Sequence, residues 1–291
     1  MPFRTIAVTT HSKLEYSLNY LVYKTASETK RIFLSEISTI LIQSTQVSIT
    51  TSLLAEITKR KIKIIFCDEK NNPSSELVPY YNNVESSKRI LLQTKWSEEI
   101  KDKVRKEIVK EKIRTQSYYL KVKGCAEESL LLTEYVNDVK DGDSTNREAF
   151  AAKVYFNKVF YEGFSRHENN DLNASLNYGY TILMSQFSRD IVSDGYITQL
   201  GIHHKNAFNE FNLACDLMEP LRYIVDIYAN SIRDNGLYFK DEMRNLLTTD
   251  LVISGKTMNI SNAISIYVNS VFDALNKKEV SLIKFPNLYE L

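Results

Sequence analysis

Three cysteines in 291 residues, Cys67, Cys125 and Cys215, are too few and too scattered for a disulfide frame, and no CxxC pair is present to hold zinc. They read as reduced intracellular thiols. No glycine occurs before Gly124, so the turns of the first part of the chain must use Asn, Asp, Ser and Lys instead. No apolar run approaches the roughly 20 residues of a membrane span. The N-terminus lacks a basic segment followed by an apolar stretch, as an export signal would have. These absences predict a cytoplasmic protein. The sequence also lacks GxGxxG, GxxxxGK followed by Ser or Thr, GxSxG and HExxH, which removes the common nucleotide-binding, hydrolase and zinc-protease signatures.

What is present is the composition of a globular protein, 43% hydrophobic and 25% charged. The net charge is only +1, but it is unevenly spread. From Lys88 to Lys123 twelve Lys and Arg stand against five Asp and Glu, a local excess of seven positive charges. Such a segment suits a polyanion. It also suits a solvated helix laced with i,i+4 pairs, since Glu107 and Glu111 lie among the lysines.

The first 80 residues predict strands at 4–9, 18–24, 31–34, 36–42 and 62–68, with a helix over 52–61 spaced by Leu53, Leu54 and Ile57. The segment 68–75 reads as a turn. Beyond Pro79 the period changes to three and four through Ile90, Leu91, Trp96, Ile100, Val104 and Ile108, and the chain reads as helical to about residue 275. The expected architecture is α+β, with a small β-rich domain over 1–80 and a larger α-helical domain over 81–291.

The densest polar set is the stretch from His203 to Arg222. Asp216 and Glu219, three residues apart, share one helical face about 4.5 Å apart along the axis. Two carboxylates that close repel, and a cation between them removes the conflict. Hard cations such as Mg2+ or Mn2+ accept carboxylate oxygens, and Mn2+ also accepts imidazole. Pro220 predicts a kink at the pair. A purely structural reading instead pairs Asp216 with Arg222 or Lys205 and turns Glu219 to solvent. Adjacent His203 and His204 point different ways, so at most one reaches the carboxylates; spacing alone does not choose. Upstream, Glu148 falls on the buried face of a helix, yet Thr145-Asn146-Arg147-Glu148 also fits a capping box.

Taken together, Asn146-Arg147-Glu148, Gly201-Ile202-His203-His204 and the block from Asp216 to Arg222 resemble the CRISPR-associated spacer-acquisition integrase and endonuclease family. The resemblance covers the whole chain. Thr10-His11-Ser12-Lys13-Leu14, Leu34-Ser35-Glu36-Ile37 and Ile65-Phe66-Cys67-Asp68 are most similar to its type II branch. One departure is Leu221-Arg222-Tyr223, where the family more often has Phe-Arg-Pro. The resemblance implies a catalytic Mg2+ or Mn2+ held by Glu148, His204 and Glu219, with His203 a bystander. Asp216, Arg222 and Lys205 would lie close by. It implies strand transfer to double-stranded DNA by 3′-hydroxyl attack, dimers formed through the N-terminal domain, and a 4:2 complex with a second adaptation protein. The type II effector nuclease and an accessory protein are further partners it implies. Candidate DNA contacts are Lys88, Arg89, Lys103, Arg105, Lys106, Lys110 and Arg114, with His11 and Tyr16 as wedges for the duplex end. A hydrolytic metal nuclease and a non-catalytic DNA-binding scaffold are the competing readings.

Overall fold

In the computed structural model, residues 4–69, 73–77, 85–236 and 242–288 are described. Two compact units divide the chain, Met1–Val84 and Glu85–Leu291. The boundary expected between residues 80 and 81 lies outside the described residues.

The first unit is built on two four-stranded sheets. One contains β1 (Arg4–Val8), β5 (Ile37–Ile42), β7 (Lys63–Cys67) and β8 (Pro73–Glu76), in that order. Its first three strands are parallel, with Ile6 opposite Ile40 and Ile40 opposite Ile64, and β8 closes the edge antiparallel. The other sheet runs β4 (Thr29–Phe33), β3 (Tyr20–Lys24), β2 (Ser12–Ser17) and β6 (Val47–Ile49). β2 and β3 are joined by Leu18 and Asn19, both at positive φ (49° and 70°). Two such residues make the tight hairpin turn whose twist matches that of the strands, here formed without glycine.

Helix α1 (Thr51–Lys59) is capped by Thr50, whose hydroxyl accepts from the Leu53 amide. Its Leu53 and Ile57 are buried with Leu14, Leu21, Ile40 and Ile64 in one core. Burying a side chain of this size contributes about 1.5–3 kcal/mol. One strand is added to those expected, and one expectation is corrected. Residues 12–17 form a strand that charged Lys13 and Glu15 hide from a hydrophobicity pattern, because only alternate positions face the core. Residues 73–75 belong to β8 rather than to a turn, an edge position that tolerates Pro73.

The second unit is helical: α2 (Ser86–Gln93), α3 (Glu98–Val122), α4 (Ala126–Asp138), α5 (Arg147–Val159), α6 (Asp171–Ser193), α7 (Asn212–Met218), α8 (Arg222–Asn235) and α9 (Ile260–Lys277). A hairpin of β9 (Asp250–Ile253) and β10 (Lys256–Asn259) interrupts the helical run expected to residue 275. Its tight turn, Ser254-Gly255, has both residues at positive φ.

α3 begins at Ser97, which caps the Ile100 amide, and carries Glu98 and Glu99 in its first turn and Lys121 in its last, each matching the helix dipole. It buries Ile100, Val104, Ile108, Val109, Ile113 and Leu120, so it runs through the core rather than over it. α6 and α8 approach closely at Gly179. A Cβ there would lie 2.5 Å from Val225 Cγ1 and 2.9 Å from Met243 Sδ.

Candidate active site

The carboxylate of Glu219 sits at a break in the helix. α7 ends at Met218, one 3-10 turn spans Glu219–Leu221, and α8 starts at Arg222. Pro220 causes the break because it lacks the amide that would continue the ladder. The kink therefore falls at Glu219, as the sequence predicts. Thr115 Oγ1 donates to the Pro220 carbonyl at 3.3 Å, which holds α3 against this turn. Glu219 is 4% exposed and does not face solvent.

Glu148 arrives from α5. Its helix is not capped by Thr145, whose hydroxyl bonds the Asp138 carbonyl. Asp143 does that work, accepting from the amides of Arg147 (2.9 Å) and Glu148 (3.1 Å). The capping-box expectation is thus corrected, and the Glu148 carboxylate is left for other partners. It takes Arg105 on Oε2 and Lys112 on Oε1, the latter at 2.5 Å.

Lys112 joins the two acids. Its Nζ is 2.5 Å from Glu148 Oε1 and 2.5 Å from Glu219 Oε2. The contact with Glu219 has ion-pair distance but not the direction of a hydrogen bond, so this buried oxygen lacks a donor of good geometry. Arg222 Nη1 donates to the other oxygen, Oε1, at 2.9 Å. Burial alone would raise the Glu219 pKa; Arg222 and Lys112 outweigh it and bring it down to about 2. Burial likewise works against the Lys112 ammonium, and Glu219 and Glu148 outweigh it, so its pKa is raised.

His204 is positioned by Asp216. The carboxylate of Asp216, 1% exposed, accepts from the amides of Ile202 (2.6 Å), His203 (2.9 Å) and His204 (3.2 Å), and lies 2.6 Å from His204 Nδ1. It thus folds the turn 201–204 around itself and orients the imidazole, leaving Nε2 as the nitrogen available for a ligand. The Asp216 hydrogen bond raises the His204 pKa against the effect of burial. Gly201 is required by space: a Cβ there would collide with the His204 carbonyl and lie 2.7 Å from Asp216 Oδ2. His203 is largely exposed, and partial loss of solvent, with Arg105 nearby, lowers its pKa.

Behind Glu219 lies a network the sequence reading missed. The Arg222 guanidinium stacks on the Tyr180 ring, 4.3 Å from its centroid. Tyr180 and Tyr155 both donate to the buried carboxylate of Asp226. The signal available in the sequence was the i,i+4 pair Arg222 and Asp226 on one helical face.

Lys205 pairs with Glu98 at 2.9 Å on the surface. Lys88 and Arg89 pair with Glu85, Lys103 with Glu99, Lys106 with Asp141, Lys110 with Glu107 and Arg114 with Glu111. Arg105 is buried against Glu148 and belongs to the site rather than to a free cationic surface. His11 is exposed and Tyr16 half-buried in the first unit. A cavity of about 530 Å³ opens beside His204, lined by Trp96, Lys101, Gly201, His204, Lys205 and Asn206 among others. Among the described residues, no group of three His, Cys, Asp or Glu side chains is close enough to hold a metal as the side chains stand.

The model of the CRISPR-associated protein Cas1 family matches residues 6–245. The chain belongs to the Cas1 family. Over 298 aligned residues it is 28% identical to a CRISPR-associated endonuclease Cas1 of Neisseria meningitidis serogroup C (strain 8013), covering 100% of this chain and 98% of that protein. Among solved structures, a casposase bound to integration product matches with a TM-score of 0.75 at 17% identity, covering 96% of this chain and 91% of that one. A chain of a partial Cas6-RT-Cas1–Cas2 complex matches with a TM-score of 0.68 at 18% identity, covering 99% of each. These two likenesses are of fold. No described helix of this Cas1 chain is long and apolar enough to cross a membrane.

Proposed function

We propose that this Cas1 chain is a divalent-metal-dependent DNA integrase of CRISPR adaptation. In this reading it inserts short protospacer DNA into the repeat array by transesterification in the cytoplasm. The observation that carries the reading is the meeting of Glu148 and Glu219, from α5 and from the α7–α8 break, at a single cationic point. The donor set fits Mg2+ or Mn2+. It offers two hard carboxylates, one with a buried oxygen lacking a well-aligned donor, and an imidazole whose other nitrogen is tied to a carboxylate. When bound there by Glu148, Glu219 and His204, a divalent ion would make a 3′-hydroxyl more acidic and draw charge from the phosphate.

The chain's own residues do the rest. Asp216 fixes the His204 ring. Arg105 and Arg222 each hold one oxygen of Glu148 and Glu219, so that neither carboxylate is free to rotate away. The exposed lysines of α2 and α3 meet backbone phosphates. Their present partners are surface carboxylates, worth at most about 1 kcal/mol each, so DNA can exchange for them. The neighbours' names favour partners as well: a casposase with its integration product for DNA, and a Cas1–Cas2 complex for the second adaptation protein. We extend this to dimers formed through the first unit, a 4:2 assembly, and the type II branch with its effector nuclease and accessory protein.

Hydrolytic endonuclease activity is the second reading, favoured by the name of the Neisseria relative. It would use the same residues with water as the nucleophile. Integration assays on purified Glu148→Gln, His204→Ala and Glu219→Gln separate the possibilities. Folded variants without joined product are expected. Wild-type rates in any of the three would remove that residue from the site, and shortened strands without joined ones from the wild type would favour the endonuclease.

A further inference from the structure

Among the described residues, three cations surround Glu148 and Glu219, and they are not equivalent. Arg105 and Arg222 each hold an outer oxygen of one carboxylate. Lys112 alone touches both acids, on Glu148 Oε1 and Glu219 Oε2. Its side chain is 12% exposed and lies where an ion shared by the two acids would have to sit. Without it, two carboxylates close together in a mostly buried site would repel, at a cost the fold would have to bear. With it, a divalent ion finds its place already taken. Arg105 is buried and Arg222 is stacked on the Tyr180 ring, whereas a lysine is a point charge on a flexible four-carbon stem. Of the three cations, Lys112 is the one built to move.

We infer that Lys112 is a resident countercation: it holds the Glu148–Glu219 pair together in the metal-free chain, gives way when a divalent ion binds, and turns its ammonium to the incoming DNA phosphate. This rests on the integrase reading above. Metal and DNA would then support one another, because the phosphate receives the cation that the metal displaces. The role is distinct from that of the surface lysines of α3, whose partners are solvent-facing acids.

The test uses the full-length chain and Mn2+ alone. Mn2+ affinity is measured by calorimetry, or by electron paramagnetic resonance of the free ion, in wild type, Lys112→Met and Glu219→Gln. Lys112→Met should bind Mn2+ at least about tenfold more tightly, because the competing charge is gone. Its metal-free form should melt below wild type, and saturating Mn2+ should close the gap. Amine-reactive footprinting of the wild type gives a reading that needs no variant: Lys112 should be protected in chelator and labelled once Mn2+ is added. Equal or weaker Mn2+ binding by Lys112→Met, or labelling that Mn2+ does not change, overturns the inference. Should Lys112→Met fail to fold without metal, the footprint decides. If wild type binds Mn2+, Glu219→Gln does not, and Lys112→Met matches wild type, the Lys112 role alone falls. If neither wild type nor Lys112→Met binds Mn2+, the metal site itself falls with it.

Discussion

Asp226 is buried with two tyrosine hydroxyls and, among the described residues, no ion-paired cation, and that environment sets its chemistry. Burial pushes its pKa up from 3.8 to about 6, against the Tyr180 hydrogen bond and the nearby Arg222. The folded state therefore holds a proton more tightly than the unfolded one. The stability this gives is fully present below about pH 4 and is lost as pH rises through about 6. By pH 7 the loss is on the order of 3 kcal/mol relative to an unshifted carboxyl. Asp226→Asn keeps an acceptor for one tyrosine, offers an amide donor to the other, and cannot ionise. Thermal melts should show the variant gaining on wild type steadily between pH 4 and pH 7; a difference that is flat with pH, or of opposite slope, would contradict this. At this scale the sequence was readable in part. Glu148, His204 and Glu219 stood in recognisable blocks, but Lys112 was one of twelve cations in a basic stretch. Only tertiary packing distinguishes it from Lys110 two residues before, because side chains two apart point to different faces of a helix.

At the scale of elements, the site depends on how each segment ends. α7 stops where Pro220 removes a hydrogen bond, and that stop delivers Glu219. The turn 201–204 closes around Asp216 because residue 201 has no side chain. Gly201→Ala should therefore cost about 1–3 kcal/mol through the steric clash and displace His204. Denaturant melts would give the first, and an integration assay reduced by tenfold or more would give the second. Unchanged activity would show that the turn has slack. The kink at Pro220 was legible because proline acts locally. The cap of α5 was not, because Asp143 reaches forward from a 3-10 turn (Asp141–Asp143) with Gly142 and Asp143 at positive φ, a geometry no spacing rule announces. The strand 12–17 and the hairpin 250–259 were missed for a related reason: alternation over four to six residues is a weak signal beside a long helical period.

For the whole molecule, the change of period near residue 80 marked the passage from a strand-rich unit to a helical one, and the described elements on either side follow it. Charge is read less directly. The excess over 88–123 is real, yet most of its cations already have acidic partners. If DNA exchanges for those partners, affinity should still be strongly salt-dependent. Between 50 and 200 mM salt a loss of about 10³-fold or more is expected for six or so phosphate contacts. Fluorescence anisotropy with duplex DNA would measure it, and a slope near zero would remove the basic face from the interface. The central claim concerns what Glu148, His204 and Glu219 do together. Its most direct test is a half-site integration assay on a 3′-hydroxyl duplex with the purified full-length protein and the proposed Cas2-type partner, with Mn2+ and then with excess chelator. The account predicts joined DNA strands with Mn2+, none with chelator, and none from Glu219→Gln under either condition. Joined product that persists in chelator, or that Glu219→Gln forms at the wild-type rate, would contradict it.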